Sequence, residues 1–228
     1  MKSHTGNSLR LKGFDYSQPG EYFVTICTKD RQCVLGEIVE VKMQLSDIGK
    51  VVDQCWMEIP QHFKNTRLDT YQVMPNHVHG IVEIRDKQTF KSLGGDVACN
   101  VSTEVRHGYF SEISPKPGDL GTTIRSFKAA VTAKVHEQGL SSESTIWQSR
   151  FHDHIVRDDR SRFFIELYIE LNPIMWYLDS DNPKARALSP DALRAFLREK
   201  HGIDGYLLEH IVQFELSYRV WKKEPEGE

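Results

Sequence analysis

Leu68-Asp69-Thr70-Tyr71-Gln72-Val73-Met74-Pro75-Asn76-His77-Val78-His79-Gly80-Ile81-Val82-Glu83-Ile84 is the stretch whose reading decides the fold. Tyr71, Val73, Val78, Ile81, Val82 and Ile84 are strand formers. Pro75-Asn76 between them is a turn signal. The segment therefore reads as a tight pair of strands, 68–74 and 77–84. In an extended strand residues i and i+2 face the same way. His77 and His79 then project side by side, as a two-nitrogen grip for a divalent ion. In a chain with ten histidines such a pair can also arise by chance. A second one, His152-Asp153-His154, is present. It is either a rival site or a polar strand end.

Working outward, residues 22–28 read as a first strand after Pro19-Gly20. Ser46 is an N-cap for a helix whose stripe is Ile48, Val51, Val52, Cys55, Trp56 and Ile59, with Pro60 near its end. Residues 85–120 are poor in apolar residues and read as a long loop. A second helix covers 122–138, with Ile124, Phe127, Val131 and Val135 buried and Gly139 as its stop. Residues 146–156 are a fourth strand or extended ribbon. A third helix runs over 159–172 and is expected to stop at Pro173. The first six elements follow the order βαββαβ. That is the ferredoxin-like pattern, an α+β antiparallel sheet with helices on one face, to which the third helix is added. Beyond a linker starting at residue 179, helices are expected over 190–202, opened by Ser189-Pro190, and over 205–221. The expected division is a catalytic domain over 1–178 and a helical extension over 179–228.

Composition narrows the function. The 228 residues carry a net charge of −3, so nucleic-acid binding would have to come from a local patch. The four cysteines have no C-x-x-C spacing, which argues against a disulfide framework or a cysteine zinc site. No apolar run reaches membrane-spanning length, and the N-terminus lacks a signal-peptide core. A soluble, cytoplasmic protein is expected.

On the third helix, Tyr168 and Asn172 are four residues apart and share a face. They are either packing and helix-stop residues, or a nucleophile and a metal ligand. With His77-Val78-His79-Gly80 and Tyr168-Ile169-Glu170-Leu171-Asn172-Pro173 together, the chain resembles the single-tyrosine HUH (histidine–hydrophobic–histidine) transposases. Within them it resembles the REP-associated tyrosine transposases, linked to repetitive extragenic palindromes. Asp15-Tyr16-Ser17-Gln18-Pro19-Gly20, Tyr22-Phe23-Val24-Thr25-Ile26-Cys27-Thr28 and Ile124-Arg125-Ser126-Phe127-Lys128 add to the likeness. So do Ile146-Trp147-Gln148 and Asp153-His154-Ile155-Val156-Arg157-Asp158. Residues 180–228 lie outside it.

The resemblance implies a ferredoxin-like nuclease and strand transferase acting on single-stranded DNA at palindromic hairpins. It implies that His77, His79 and Asn172 bind the divalent ion, Mg²⁺ or Mn²⁺. Related insertion-sequence transposases use glutamine at the third position. It implies that Tyr168 attacks a backbone phosphate, giving a 5′-phosphotyrosine and a free 3′-OH. It favours a monomer, with a dimer as the alternative. DNA contacts are expected from Arg125, Lys128 and Thr132, with Lys134 and Lys116 nearby, and from Trp147, Gln148 and Arg150, which could stack on or read bases. For Trp147 core packing is an equal alternative. For His152 and His154 a structural or DNA-contacting role is favoured over a second metal site. The competing functions are a hairpin-binding protein without cleavage activity and a zinc hydrolase using His152 and His154.

Overall fold

A computed structural model describes residues 14–86, 119–179, 182, 184–185 and 188–221, without the side chains of residues 200 and 215–221. Most of the long loop expected over 85–120, with Lys116, lies outside the described residues. Strand β1 is Gly20–Cys27, β4 Thr66–Met74, β5 His77–Ile84 and β6 His152–Val156. They form one antiparallel sheet in the order β4-β5-β1-β6. The helices α1, Asp47–His62, and α2, Leu120–Glu137, follow β1 and β5 in the chain. With the connecting helices placed so, the topology is ferredoxin-like, as the order of elements predicts.

A second, two-stranded sheet was not expected. Strand β2, Gly36–Val39, pairs with β3, Lys42–Leu45, between β1 and α1. Its turn residues, Glu40 and Val41, both have positive φ, 47° and 58°. Hairpin turns of this kind ordinarily carry Asn or Gly there. A Glu-Val pair sends no such signal, so the hairpin is silent in the sequence.

Period-two alternation gives the main sheet two different faces. Val24, Ile26, Val78, Val82, Trp56, Phe127 and Val131 belong to the core under α1 and α2. The ring of Phe127 meets Trp56 edge-on at 5.3 Å. Glu58 on α1 and Lys134 on α2 close the seam with an ion pair at 2.8 Å. Side chains on the other face of β5 point the opposite way. Helix α3, Asp159–Met175, covers them, with Ile165 and Ile169 buried against Ile81, Phe23 and Val156. Arg162 on α3 pairs with Glu21, Asp69 and Glu166, tying the helix to β1 and β4.

Two N-caps are those read from sequence, whereas those of α2 and α3, Asp119 and Asp158, were not expected. Ser46 Oγ accepts from Gly49 N–H, and Ser189 Oγ from Ala192 N–H. Gly139 (φ 65°) stops α2, where a residue with Cβ would be strained. The expected stop at Pro173 is not found: α3 continues to Met175, and a 3-10 turn follows over Trp176–Leu178. A proline ring inside a helix removes one backbone hydrogen bond. Burial offsets this loss, because the last turn of α3 seeds a second core. Met175 packs there with Leu193 and Leu197 of α4, Pro190–His201, and with Leu208, Ile211 and Val212 of α5, Gly205–Trp221. No described helix is long and apolar enough to cross a membrane.

Gly80 marks a close approach between β5 and its neighbours. A Cβ there would lie 2.5 Å from Trp56 Cζ2 and 3.0 Å from Tyr71 Cβ. Trp56 is fully buried and cannot swing away. Gly80→Ala is expected to destabilise the fold by about 1–3 kcal/mol through overpacking, read as a lower urea midpoint at an unchanged slope.

Candidate metal and tyrosine site

His77 and His79 leave β5 on the α3 side, 0% and 2% exposed, with ring centroids 4.2 Å apart. Each imidazole is held from behind. Asn76 Nδ2 donates to Arg31 O at 3.0 Å, so the amide oxygen of Asn76 faces His77 Nδ1 at 2.8 Å. An amide oxygen only accepts, which makes His77 Nδ1 the protonated nitrogen and Nε2 the lone-pair nitrogen. Thr25, opposite His79 in the β1–β5 register, places Oγ1 2.9 Å from His79 Nδ1. This is the arrangement in which outer partners orient metal-binding imidazoles. Phe23 stacks on His79 at 5.4 Å and meets Tyr168 edge-on at 6.1 Å, an apolar wall on one side.

Helix α3 supplies the other half. Tyr168 Oη lies 3.1 Å from His79 Nε2, a contact between residues 89 apart in the chain. Asn172 is 1% exposed, and its Oδ1 is buried with no hydrogen-bond partner among the described residues. A buried amide oxygen left in this way is costly unless something else meets it. Asp179 was expected to begin a linker, and nothing in its local sequence marks it as part of the site. The unbroken end of α3 and the 3-10 turn bring it back over the helix. Its Oδ2 accepts from Tyr168 Oη at 3.1 Å and from Asn172 Nδ2 at 2.8 Å. The ligand atoms of His77, His79 and Asp179 all lie within 4.8 Å of one another.

The chemistry of these donors fits a divalent ion. Burial pushes the His77 pKa down to about 4, so its imidazole is neutral near pH 7 and able to ligate. Asp179 opposes that shift, and Arg31 adds to it. Two imidazoles, an amide oxygen and a carboxylate make a mixed nitrogen–oxygen set. His152 and His154 belong to no such three-residue group among the described residues. His154 Nε2 lies 3.4 Å from Ser161 Oγ at the start of α3, and His152 is exposed.

The expected DNA-contacting residues divide. Arg125 and Arg150 are exposed. Lys128 is turned inward: its Nζ donates to Gln148 O and Arg150 O, both at 2.8 Å, and burial lowers its pKa to about 8. It holds the 148–150 ribbon rather than presenting its charge to a phosphate. Thr132 Oγ1 bonds back to Lys128 O. Trp147, expected to stack or to pack, packs: it is 3% exposed against Phe127. Its edge also lines the adjoining groove. Gln148 is half-buried, and its N–H donates to Cys27 O. A groove of about 490 Å³ runs here, lined among others by Thr25, Lys29, Gln148, Arg150 and His152.

No family model matches the chain. An uncharacterized protein of Haemophilus influenzae is 38% identical over 179 residues, spanning 77% of this chain and 92% of that protein. Two solved structures are similar at 16% identity. One is a REP-associated tyrosine transposase bound to a REP hairpin, with a TM-score of 0.43, covering 69% of this chain and 68% of that one. The other is a transposase candidate from Deinococcus radiodurans, with a TM-score of 0.38, covering 71% of this chain and 96% of that one.

The depressed His77 pKa has a consequence for stability. Below pH 6.5 the unfolded imidazole takes up a proton that the buried one refuses until about pH 4. The His77 contribution to stability is therefore full above pH 6.5, is lost progressively down to about pH 4, and changes no further below that. Urea unfolding across this interval is expected to show a steeper loss in the wild type than in His77→Gln.

Proposed function

We propose that this chain, which belongs to one family with the Haemophilus influenzae protein, is a REP-associated tyrosine transposase of the single-tyrosine HUH kind. Its reaction is metal-dependent cleavage and rejoining of single-stranded DNA at palindromic hairpins. One observation carries this reading. A tyrosine hydroxyl from α3 sits 3.1 Å from the second histidine of an H-x-H pair on β5. The motif residues His77, His79, Tyr168 and Asn172, scattered in sequence, converge there.

In this reading His77 Nε2, His79 Nε2 and Asn172 Oδ1 hold Mg²⁺ or Mn²⁺, with open positions left for oxygen ligands. The orphaned Asn172 oxygen supports that assignment. A divalent ion held there would polarise a phosphate oxygen and offset charge developing on it. Tyr168 is the nucleophile. Its Oη forms a bond to phosphorus while the bond from phosphorus to the 3′-oxygen breaks. The phenol proton leaves to a neighbouring acceptor, and the 3′-oxygen takes one from solvent. The 5′-phosphotyrosine that results conserves the phosphodiester bond for rejoining, so no nucleotide cofactor is required.

The groove beside Thr25 supports a route for the strand. Thr25 lines it and also touches His79 from behind, so the groove lies one side chain away from the histidine pair. Arg150 is exposed along it, beside Asp30 and Lys29, which pairs with Glu143 at 3.1 Å, and Arg125 offers a further exposed contact. Binding through such groups weakens as salt rises. A monomer is the proposed working form.

Incubation of the protein with a palindromic hairpin oligonucleotide and Mn²⁺ is expected to yield an SDS-resistant protein–DNA adduct. Tyr168→Phe should yield none, and His77→Ala or His79→Ala should reduce it at least about a hundredfold. Adduct from Tyr168→Phe at the wild-type level would remove Tyr168 as the nucleophile. Hairpin binding with no adduct at any metal concentration would make the protein a hairpin binder only.

A further inference from the structure

We propose that Asp179 is the residue that readies both halves of the site, orienting Asn172 as an oxygen ligand and retaining the Tyr168 hydroxyl when the ion enters; this rests on the reading above. A single carboxylate oxygen, Oδ2, makes both contacts. An ionised carboxylate only accepts hydrogen bonds. The side of the Asn172 amide that faces it must therefore be the nitrogen. The amide oxygen is turned away as a result, and it is the buried oxygen without a hydrogen-bond partner among the described residues. Helix α3 places Asn172 on the right face, but Asp179 selects which end of its amide can meet an ion.

The second contact concerns the nucleophile. Tyr168 Oη is 3.1 Å from both His79 Nε2 and Asp179 Oδ2. His79 Nδ1 is engaged by Thr25, so Nε2 is the nitrogen that would ligate. A nitrogen whose lone pair binds a metal cannot keep a hydrogen bond to a phenol. Ion binding and the His79–Tyr168 contact therefore exclude each other, whereas the Asp179–Tyr168 contact survives. Asp179 keeps Oη next to the site at the moment its other partner is taken. The backbone holds Asp179 in place for this, with its N–H donating to Trp176 O at the end of the 3-10 turn.

The test uses the full chain. Mn²⁺ binding is measured without DNA, by calorimetry or by loss of the free-ion resonance signal, and hairpin adduct is measured at saturating Mn²⁺. Asp179→Ala is expected to weaken Mn²⁺ binding about tenfold to a hundredfold, the range typical of partners that orient ligands. Its adduct rate should stay low even when the ion is saturating. Asp179→Asn keeps an acceptor oxygen for Asn172 and Tyr168 and should recover most of both losses. If Asp179→Ala does not fold, Asp179→Ser takes its place with the same expectation. Wild-type Mn²⁺ affinity and adduct rate in Asp179→Ala would overturn the proposal alone. An Asp179→Asn protein as impaired as Asp179→Ala would also overturn it, in favour of a carboxylate bound directly to the ion. A wild-type protein that neither binds Mn²⁺ nor forms adduct would overturn the underlying reading, and this inference with it.

Discussion

Strand β5 is packed on both faces, and the rest of the structure depends on how those faces differ. On one side Val78, Gly80 and Val82 lie under α1, with Gly80 leaving just enough room for the Trp56 ring. On the other side His77, His79 and Ile81 lie under α3. The apolar side drives burial, and the pleat then carries the two imidazoles out of water with it. That is what keeps His77 neutral and available as a ligand. A one-residue slip in register would exchange the two sets and send the histidines into the core. The Gly80–Trp56 contact holds the register against that slip.

The two imidazoles are held by groups outside the candidate ligand set. Asn76 in the β4–β5 turn settles the tautomer of His77, and Thr25 on β1 orients His79. Both contacts rest on the sheet order, since β1 lies beside β5 and the segment after it carries Arg31 to the Asn76 amide. On the far side, Ile165 and Ile169 seat α3 on Ile81, which sets the depth at which Tyr168 meets His79. The C-terminal helices α4 and α5 bury the last turn of α3. They thereby stabilise the segment that returns Asp179 to the site.

What was legible in the sequence had a local cause. The strand pair around Pro75-Asn76, the stripes of α1 and α2, the cap at Ser46 and the stop at Gly139 each depend on residues within one or two turns of each other. His77 with His79, and Tyr168 with Asn172, could be read as pairs sharing a face for the same reason, while their joint role came only from the family resemblance. The illegible features had distant causes. The hairpin of β2 and β3 turns on Glu40 and Val41, which carry no turn signature. The helix runs past Pro173 because a core formed with α4 and α5 outweighs one missing hydrogen bond. Lys128 looked like a surface cation, but the carbonyls of Gln148 and Arg150 claim it. Trp147 left packing and stacking open in the sequence, and its contact with Phe127 depends on how α2 seats on the sheet.

By itself the sequence determined the alternation that sorts β5 into an apolar and an imidazole face, the helical spacing of Tyr168 and Asn172, and hence the α+β architecture. These follow from backbone periodicity, which is a property of neighbours in the chain. The tertiary structure alone decided that Tyr168 meets His79, that Asn172 presents its oxygen, and that Asp179 stands between them. Such contacts depend on how helices seat on a sheet and where a chain turns back. Those outcomes are set by burial summed over many residues far apart in sequence.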